Sequence, residues 1–320
     1  MTIDDKRFTE GLEGDRMDLV RSAPKSDLHN HAALGFRREV LARWSGREIA
    51  PPPQRMDDLA AMDQWIKEEV SPLYNDPKCL RFALRAPFAE AWNDGVTLLE
   101  MSFDITFIKS FHNNPGRFAE AIAEAHKTVA PDIDFKPELG IARDLPPEVY
   151  IPLAKQCIDT GGFTSIDLYG TEKAQPPEKY TELFHYARTK GLKTKVHSGE
   201  FGNVHDMMHT IKVLQPDAVQ HGIAAAHSEQ AMKTLAAEYI TLNICPTSNI
   251  RLSRVKDYAT HPIKTLFHAG VSVTINSDDI MVFEQNVSDE YLNLYRAGLF
   301  SATELNSIRT NGLKQACHRN

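Results

Sequence analysis

The stretch KTKVHSGEFGNVHDMMHTIKVLQPDAVQH, Lys193–His221, reads as strand, helix and strand in close succession. Lys193–His197 favours an extended chain and ends on a histidine. Val204–Leu214 carries an amphipathic helical pattern, and Ala218–His221 is extended again, ending on a second histidine. Two strands joined through a helix pair in parallel by a right-handed crossover. Chemistry-bearing residues at the ends of such strands gather on one side of the resulting sheet.

The same alternation runs outward in both directions. Short extended runs fall at Lys25–His29, Thr97–Asp104, Asp134–Ile141 and Phe163–Leu168 before this unit, and at Ile240–Ile244 and Val271–Asn276 after it. Amphipathic helices are expected at Pro115–Thr128, Glu178–Lys190, Ser228–Ala237 and Pro262–Ala269. In the first of these, Phe118, Ile122 and Ala125 recur at helical spacing and give one apolar stripe. Gly191 and Gly270 stand just past two of the expected helix ends, where glycine is favoured. A doubly wound open sheet is the rival arrangement. Eight strand–helix units fit a closed (β/α)8 TIM-type barrel better, as one α/β domain over residues 1–320.

The first crossover is an exception. Residues 31–96 are far more than one helix and its loops require, and they include Trp65, Ile66 and Leu73 as an apolar face. A helical insertion after strand 1 either covers the barrel mouth or packs on the barrel's side. Pro51, Pro52 and Pro53 within it read as a loop.

Composition narrows the function classes. The formal net charge of −7 disfavours nucleic acid or an anionic membrane as the main partner. A small molecule is the expected ligand. No window is apolar enough to span a bilayer. The N-terminal residues are charged and show no secretory signal, so a cytoplasmic location is expected. Cys79, Cys157, Cys245 and Cys317 are scattered, as free thiols are in a reducing compartment.

Four strand ends carry the residues of interest. His29 and His31 stand two apart, so both leave the same face of an extended chain and can converge on a metal. His197 and Glu200 flank a glycine after the fifth strand; His221 ends the sixth; Asp278 and Asp279 follow the eighth. Each is unremarkable alone, since a lone histidine is commonly satisfied by backbone groups and paired acids are commonly a solvated turn. Together they occupy the C-terminal ends of strands one, five, six and eight, which line a single mouth in a barrel. Three histidines and an aspartate make a metal site provided one position stays open for water. The remaining histidines, including His126, His185, His227, His261 and His268, fall in or beside helices and read as surface or packing residues. His205 and His209 have helical spacing but no glutamate in an H-E-x-x-H pattern.

In this order the motifs resemble those of the adenosine deaminase family, within the amidohydrolase superfamily, from about Lys25 to Asn311. The matching elements are His29-x-His31, His197-Ser-Gly-Glu200, His221-Gly222, the run Cys245–Asn249, Asp278-Asp279, and Asp167–Glu172, DLYGTE. The resemblance implies one zinc held by His29, His31, His197 and Asp278. It also implies a proton on Glu200 shared with the ring nitrogen beside the attacked carbon, and His221 orienting the attacking hydroxide. Asp279 and the Gly170 N–H would hydrogen-bond the purine, with His31 also facing the substrate. The reaction implied is hydrolytic loss of ammonia from an aminopurine, adenosine or a modified one. The alternative is a superfamily hydrolase acting on an amide, lactone or ester. No lysine ends strand four, which disfavours a second, bridged metal. One departure concerns the sugar: the family's carboxylate for the ribose 5′-hydroxyl is replaced by Ala33, and Tyr169 adds bulk beside Gly170.

Overall fold

A computed structural model describes residues 2–315. Eight strands form one parallel sheet in sequence order: β1 Lys25–Asp27, β2 Val96–Asp104, β3 Asp134–Ala142, β4 Ser165–Tyr169, β5 Lys193–Ser198, β6 Ala218–His221, β7 Thr241–Ile244 and β8 Val273–Ile275. The sheet comes round on itself. The Leu28 N–H donates to Asn276 Oδ1 at 2.8 Å, the Asp278 N–H donates to His29 O at 2.9 Å, and Asn30 bridges Asp278 in parallel. The chain is therefore a nearly closed (β/α)8 barrel, as expected from the alternation. β1 is shorter than the sequence indicated. Its regular pairing stops at Asp27, and Asn30 and His31 rejoin the sheet as isolated bridges to Asp278 and Ser102.

The helices follow the apolar stripes. Pro115–Val129 starts at an Asn114 cap whose side chain accepts from the Arg117 N–H, and it buries Phe118, Ala119, Ile122 and Ala125 on the strands. Val204–Leu214 forms as read from the sequence and buries Met207, Ile211 and Leu214. The segment expected as one helix from Glu178 to Lys190 splits, because Pro177 opens a tight 3₁₀ turn through Tyr180 before the helix Thr181–Thr189.

Charge occupies the floor of the barrel. Lys195 is buried with its Nζ 2.6 Å from Glu138 Oε2 and in contact with Glu100. It also donates to Leu28 O at 2.9 Å. A buried ammonium is tolerated only when paired and hydrogen-bonded in this way. Here the pairing also holds Leu28, just past the end of β1 and immediately before the first histidine of the mouth.

The long first crossover lies over the mouth. Its helices Arg38–Ser45, Leu59–Trp65 and Pro77–Ala83, with a π-helical turn at Ile66–Val70, build a second apolar cluster. Phe36, Leu41, Met62, Trp65 and Leu73 pack there against Leu252, Met281 and Phe283, from the segments after β7 and β8. Residues of the crossover thus touch the same strand ends that carry the candidate site. Pro51, Pro52 and Pro53 lie in its irregular part. Cys79, Cys157 and Cys245 are buried free thiols, and Cys317 lies outside the described residues. No helix among the described residues is long and apolar enough to cross a membrane.

Candidate active site

The barrel brings the expected residues to one place. His31, Gly170, His197, Glu200, His221, Asp278 and Asp279 all line one cavity of about 550 Å³, whose outer wall is Leu59, Met62, Asp63 and Tyr74 of the crossover. His29 stands behind them, fully buried, with its ring 4.5–5.5 Å from those of His31, His197 and His221. His221 and Asp278 both adopt left-handed backbone, at φ 63° and 61°. Such turns cost a non-glycine residue energy and recur where a side chain must be aimed.

The donor set fits a divalent cation. His29 Nδ1 lies 3.0 Å from Asn243 O, which makes it the protonated nitrogen and leaves Nε2 bare. That Nε2 is buried with no hydrogen-bond partner. The ligating atoms of His29, His31 and His197 lie within 4.8 Å of one another, and Asp278 Oδ1 is 3.7 Å and 3.6 Å from the Nε2 atoms of His29 and His31. An orphaned imidazole lone pair amid two imidazoles and a carboxylate is the environment a zinc-like ion satisfies. Burial, then the neighbouring His197 and His31, depress the pKa of His29, so it stays neutral and able to ligate. A rival grouping of His29, His221 and Cys245 also exists. It is the weaker one. Cys245 faces His29 Nδ1, the nitrogen already committed to Asn243, and burial keeps its thiol protonated.

Glu200 sits beside this group. Its Oε2 is 3.3 Å from His221 Nε2, and its Oε1 accepts from Asn249 Nδ2 at 2.6 Å. Burial first, then the carboxylates of Asp278 and Glu172, push its pKa well above the usual range, against the Asn249 hydrogen bond. The carboxyl is thereby poised to carry a proton near neutral pH. Asp279 is raised in the same way by burial, Asp278, Asp63 and Glu200, and its buried Oδ1 has no partner in the protein. A protonated carboxyl on the lining of a cavity can donate to a ligand nitrogen.

Further neighbours complete the site, and two of them, Asp167 and Asn249, have no role assigned from the sequence. Asp167 stands in the middle of β4 and lies 3.3 Å from His197 Nε2. Burial favours its neutral form, but the histidines His197, His31 and His29 win and hold its pKa below the ordinary value. Its place at the start of the DLYGTE element was a signal for it. Asn249 touches both Glu200 and His221, yet inside the Cys-Pro run nothing in its residue type marks it. Tyr169 donates its hydroxyl to Asp104, and its ring stands 5.1 Å from that of His31. Room for that ring comes from Gly140, where a Cβ would meet Ser102 Oγ at 2.5 Å and Tyr169 at 3.1 Å. Ala33 lines the cavity, as expected from its position, with its carbonyl accepting from the Tyr74 hydroxyl.

Histidines and carboxylates converging at the C-terminal mouth of a parallel (β/α)8 barrel define a protein of the amidohydrolase class. The chain belongs to the adenosine deaminase family, whose model, described as "Adenosine deaminase", matches residues 24–319. A putative adenosine/adenine deaminase of Treponema pallidum is 32% identical over 291 residues, covering 91% of this chain and 97% of the relative. The crystal structure of an adenine deaminase from Arthrobacter aurescens superposes with a TM-score of 0.81 at 24% identity, covering 93% of this chain and 94% of that one. An amidohydrolase from Burkholderia ambifaria, solved with bound Zn, superposes at 0.74 and 20% identity over 98% and 88% of the two chains.

Proposed function

We propose that this protein is a mononuclear zinc hydrolase that deaminates an aminopurine, adenosine or a modified form of it. The observation that carries the reading is the meeting of four groups around one cavity: a metal-ready histidine cluster, the proton-bearing Glu200, His221 beside it, and the unpartnered Asp279. The family's shared activity and the Treponema relative support the same substrate class.

His29, His31, His197 and Asp278 would hold the zinc. When bound, it supplies Lewis-acid activation of water near neutral pH, which a ring carbon resistant to neutral water requires. The protein's own groups do the rest. Glu200, kept protonated by burial and by its acidic neighbours, donates to the ring nitrogen beside the attacked carbon and makes that carbon a better electrophile. His221, 3.3 Å from Glu200 Oε2, orients the attacking oxygen. Asp279 in its neutral form donates to the imidazole-ring nitrogen, and Gly170 lines the wall on which the pyrimidine edge rests. Addition of water gives a tetrahedral carbon. Its collapse breaks the exocyclic C–N bond, and the amine leaves as ammonia after gaining a proton.

The crossover walls one side of the mouth and so limits the access of bulk water to these groups. The whole described chain serves one site, and we read it as one domain. A cavity of about 550 Å³ supports a small-molecule partner. The test is ammonia release by zinc-loaded protein across adenosine, deoxyadenosine, 5′- and N6-substituted adenosines and adenine. Release from any of them supports the reading; silence from all, with amide or lactone hydrolysis instead, overturns it.

A further inference from the structure

The loop that carries Glu200 makes a second use of a carboxylate. Three successive backbone N–H groups converge on the side chain of Glu172, from the segment after β4. The N–H of Gly199 donates to Oε2 at 2.8 Å, and those of Glu200 and Phe201 to Oε1 at 2.9 Å and 2.7 Å. An ionised carboxylate offers about four lone pairs on two oxygens, enough to satisfy all three donors. The loop is shaped for this approach. Gly199 takes φ 78°, where a side chain would strike Met207, and a Cβ on Gly202 would stand 2.6 Å from Glu172 Oε2.

Arg143, buried at the end of β3, ties the arrangement to the barrel. Its Nη1 donates to the Glu172 backbone carbonyl at 2.8 Å and its Nη2 to His197 O at 3.3 Å. Three adjacent strand ends, β3, β4 and β5, are joined through one carboxylate and one guanidinium. His197 stands in β5 two residues before the clamped turn, and Glu200 is its central residue.

We propose that Glu172 is a positioning residue: it clamps the Gly199–Phe201 turn and so holds the Glu200 carboxyl against His221 in the geometry that proton transfer needs. This inference rests on Glu200 being the proton carrier. A glutamine at 172 would keep one acceptor oxygen and turn an NH2 group toward a backbone N–H. The turn would lose at least one of its three bonds, and a misplacement of about 1 Å at a reacting group costs on the order of 100-fold in rate. The negative charge of Glu172 adds to burial and Asp278 in keeping Glu200 protonated.

The experiment pairs hydrogen–deuterium exchange of the 198–203 segment with steady-state kinetics of Glu172→Gln. The amides of Gly199, Glu200 and Phe201 should exchange at least about tenfold faster than in the wild type, with zinc content and Tm close to it. For the best aminopurine, kcat should fall about 10- to 100-fold while KM stays within about threefold. Unchanged exchange overturns the clamp, and kcat within about twofold of the wild type overturns its effect on Glu200. Should Glu172→Gln fail to fold, Glu172→Asp keeps the charge on a shorter arm and is read by the same two measurements, with a kcat loss of about three- to tenfold expected. A wild-type protein silent on every aminopurine removes the deaminase reading, while exchange of these three amides still decides the clamp.

Discussion

Asn249 Nδ2 donates to Glu200 Oε1 at 2.6 Å, and its Oδ1 is 3.3 Å from His261 Nε2. The Ile263 N–H donates to His261 Nδ1, so His261 carries its proton on Nε2 and donates it to Asn249. A chain of oriented donors thus runs from a buried histidine outside the cavity to the carboxyl that handles the proton. Asn249 is fully buried within the short helix Pro246–Arg251, so Asn249→Ala leaves a small void and an unpaired His261 N–H, and its Tm is read beside its activity. It frees the Glu200 carboxyl to rotate. We expect kcat to fall about tenfold with little change in KM, measured by ammonia release.

Glu200→Gln keeps shape and hydrogen-bonding size but removes the transferable proton. Zinc content should be unchanged, since Glu200 is not among the proposed ligands. Loss of a positioned general acid costs about 10²- to 10⁴-fold. Turnover of a confirmed substrate within threefold of the wild type would contradict the role given to this residue.

His261 makes stability depend on pH. Burial lowers its pKa from 6.5 to about 3 in the folded protein, whereas in the unfolded chain it titrates near the ordinary value. The unfolded state therefore takes up this proton first on acidification. The stabilising contribution is fully present above pH 6.5 and is lost as pH falls from 6.5 toward 3. The slope contributed by this one group is about 1.4 kcal/mol per pH unit. Thermal unfolding followed across that window should show a shallower acid limb in His261→Gln than in the wild type.

The orphaned Nε2 of His29 predicts that metal binding and folding are linked. Zinc added to chelator-treated protein should raise Tm, with about 2.7 kcal/mol of stabilisation at a hundredfold excess over Kd. In His29→Ala the rise should be largely lost, and activity with it. Calorimetry with and without zinc measures the rise, and ammonia release measures the activity. An equal rise in the variant would remove His29 from the site.

Tyr169 and Asp104 set the shape of the cavity beside His31. Tyr169→Ala should open space next to Gly170 and let bulkier substrates in. The ratio of kcat/KM for a 5′- or N6-substituted adenosine to that for adenosine should rise by about tenfold or more. An unchanged ratio would show that this wall does not face the substrate.

Much of this was local enough to read along the chain. A strand needs a short run of apolar and β-branched residues, and a helix needs a 3.6-residue stripe; both are statements about neighbours in sequence. Val196 and His197, or Phe118 and Ile122, show their element without any knowledge of what they touch. Because parallel barrels put every strand's C-terminal end at one mouth, His29, His31, His197, His221 and Asp278 could also be grouped from order alone. His261, placed among surface or packing histidines, is buried against Asn249, a contact that its own segment does not announce.

Residue type and spacing along the chain thus determined the barrel, the strand ends and the metal-ready cluster. Tertiary structure alone decided that residues 31–96 cover the mouth rather than the barrel's side, because their apolar face is complementary to Leu252, Met281 and Phe283, which come together only when β7 and β8 are in place. It alone decided that Glu172 would receive the amides of a turn more than one helix away, and that Asn249 would reach Glu200. Hydrogen bonds of this kind depend on distance and direction to within a few tenths of an ångström. Those quantities exist only once the sheet has closed and set the strand ends side by side.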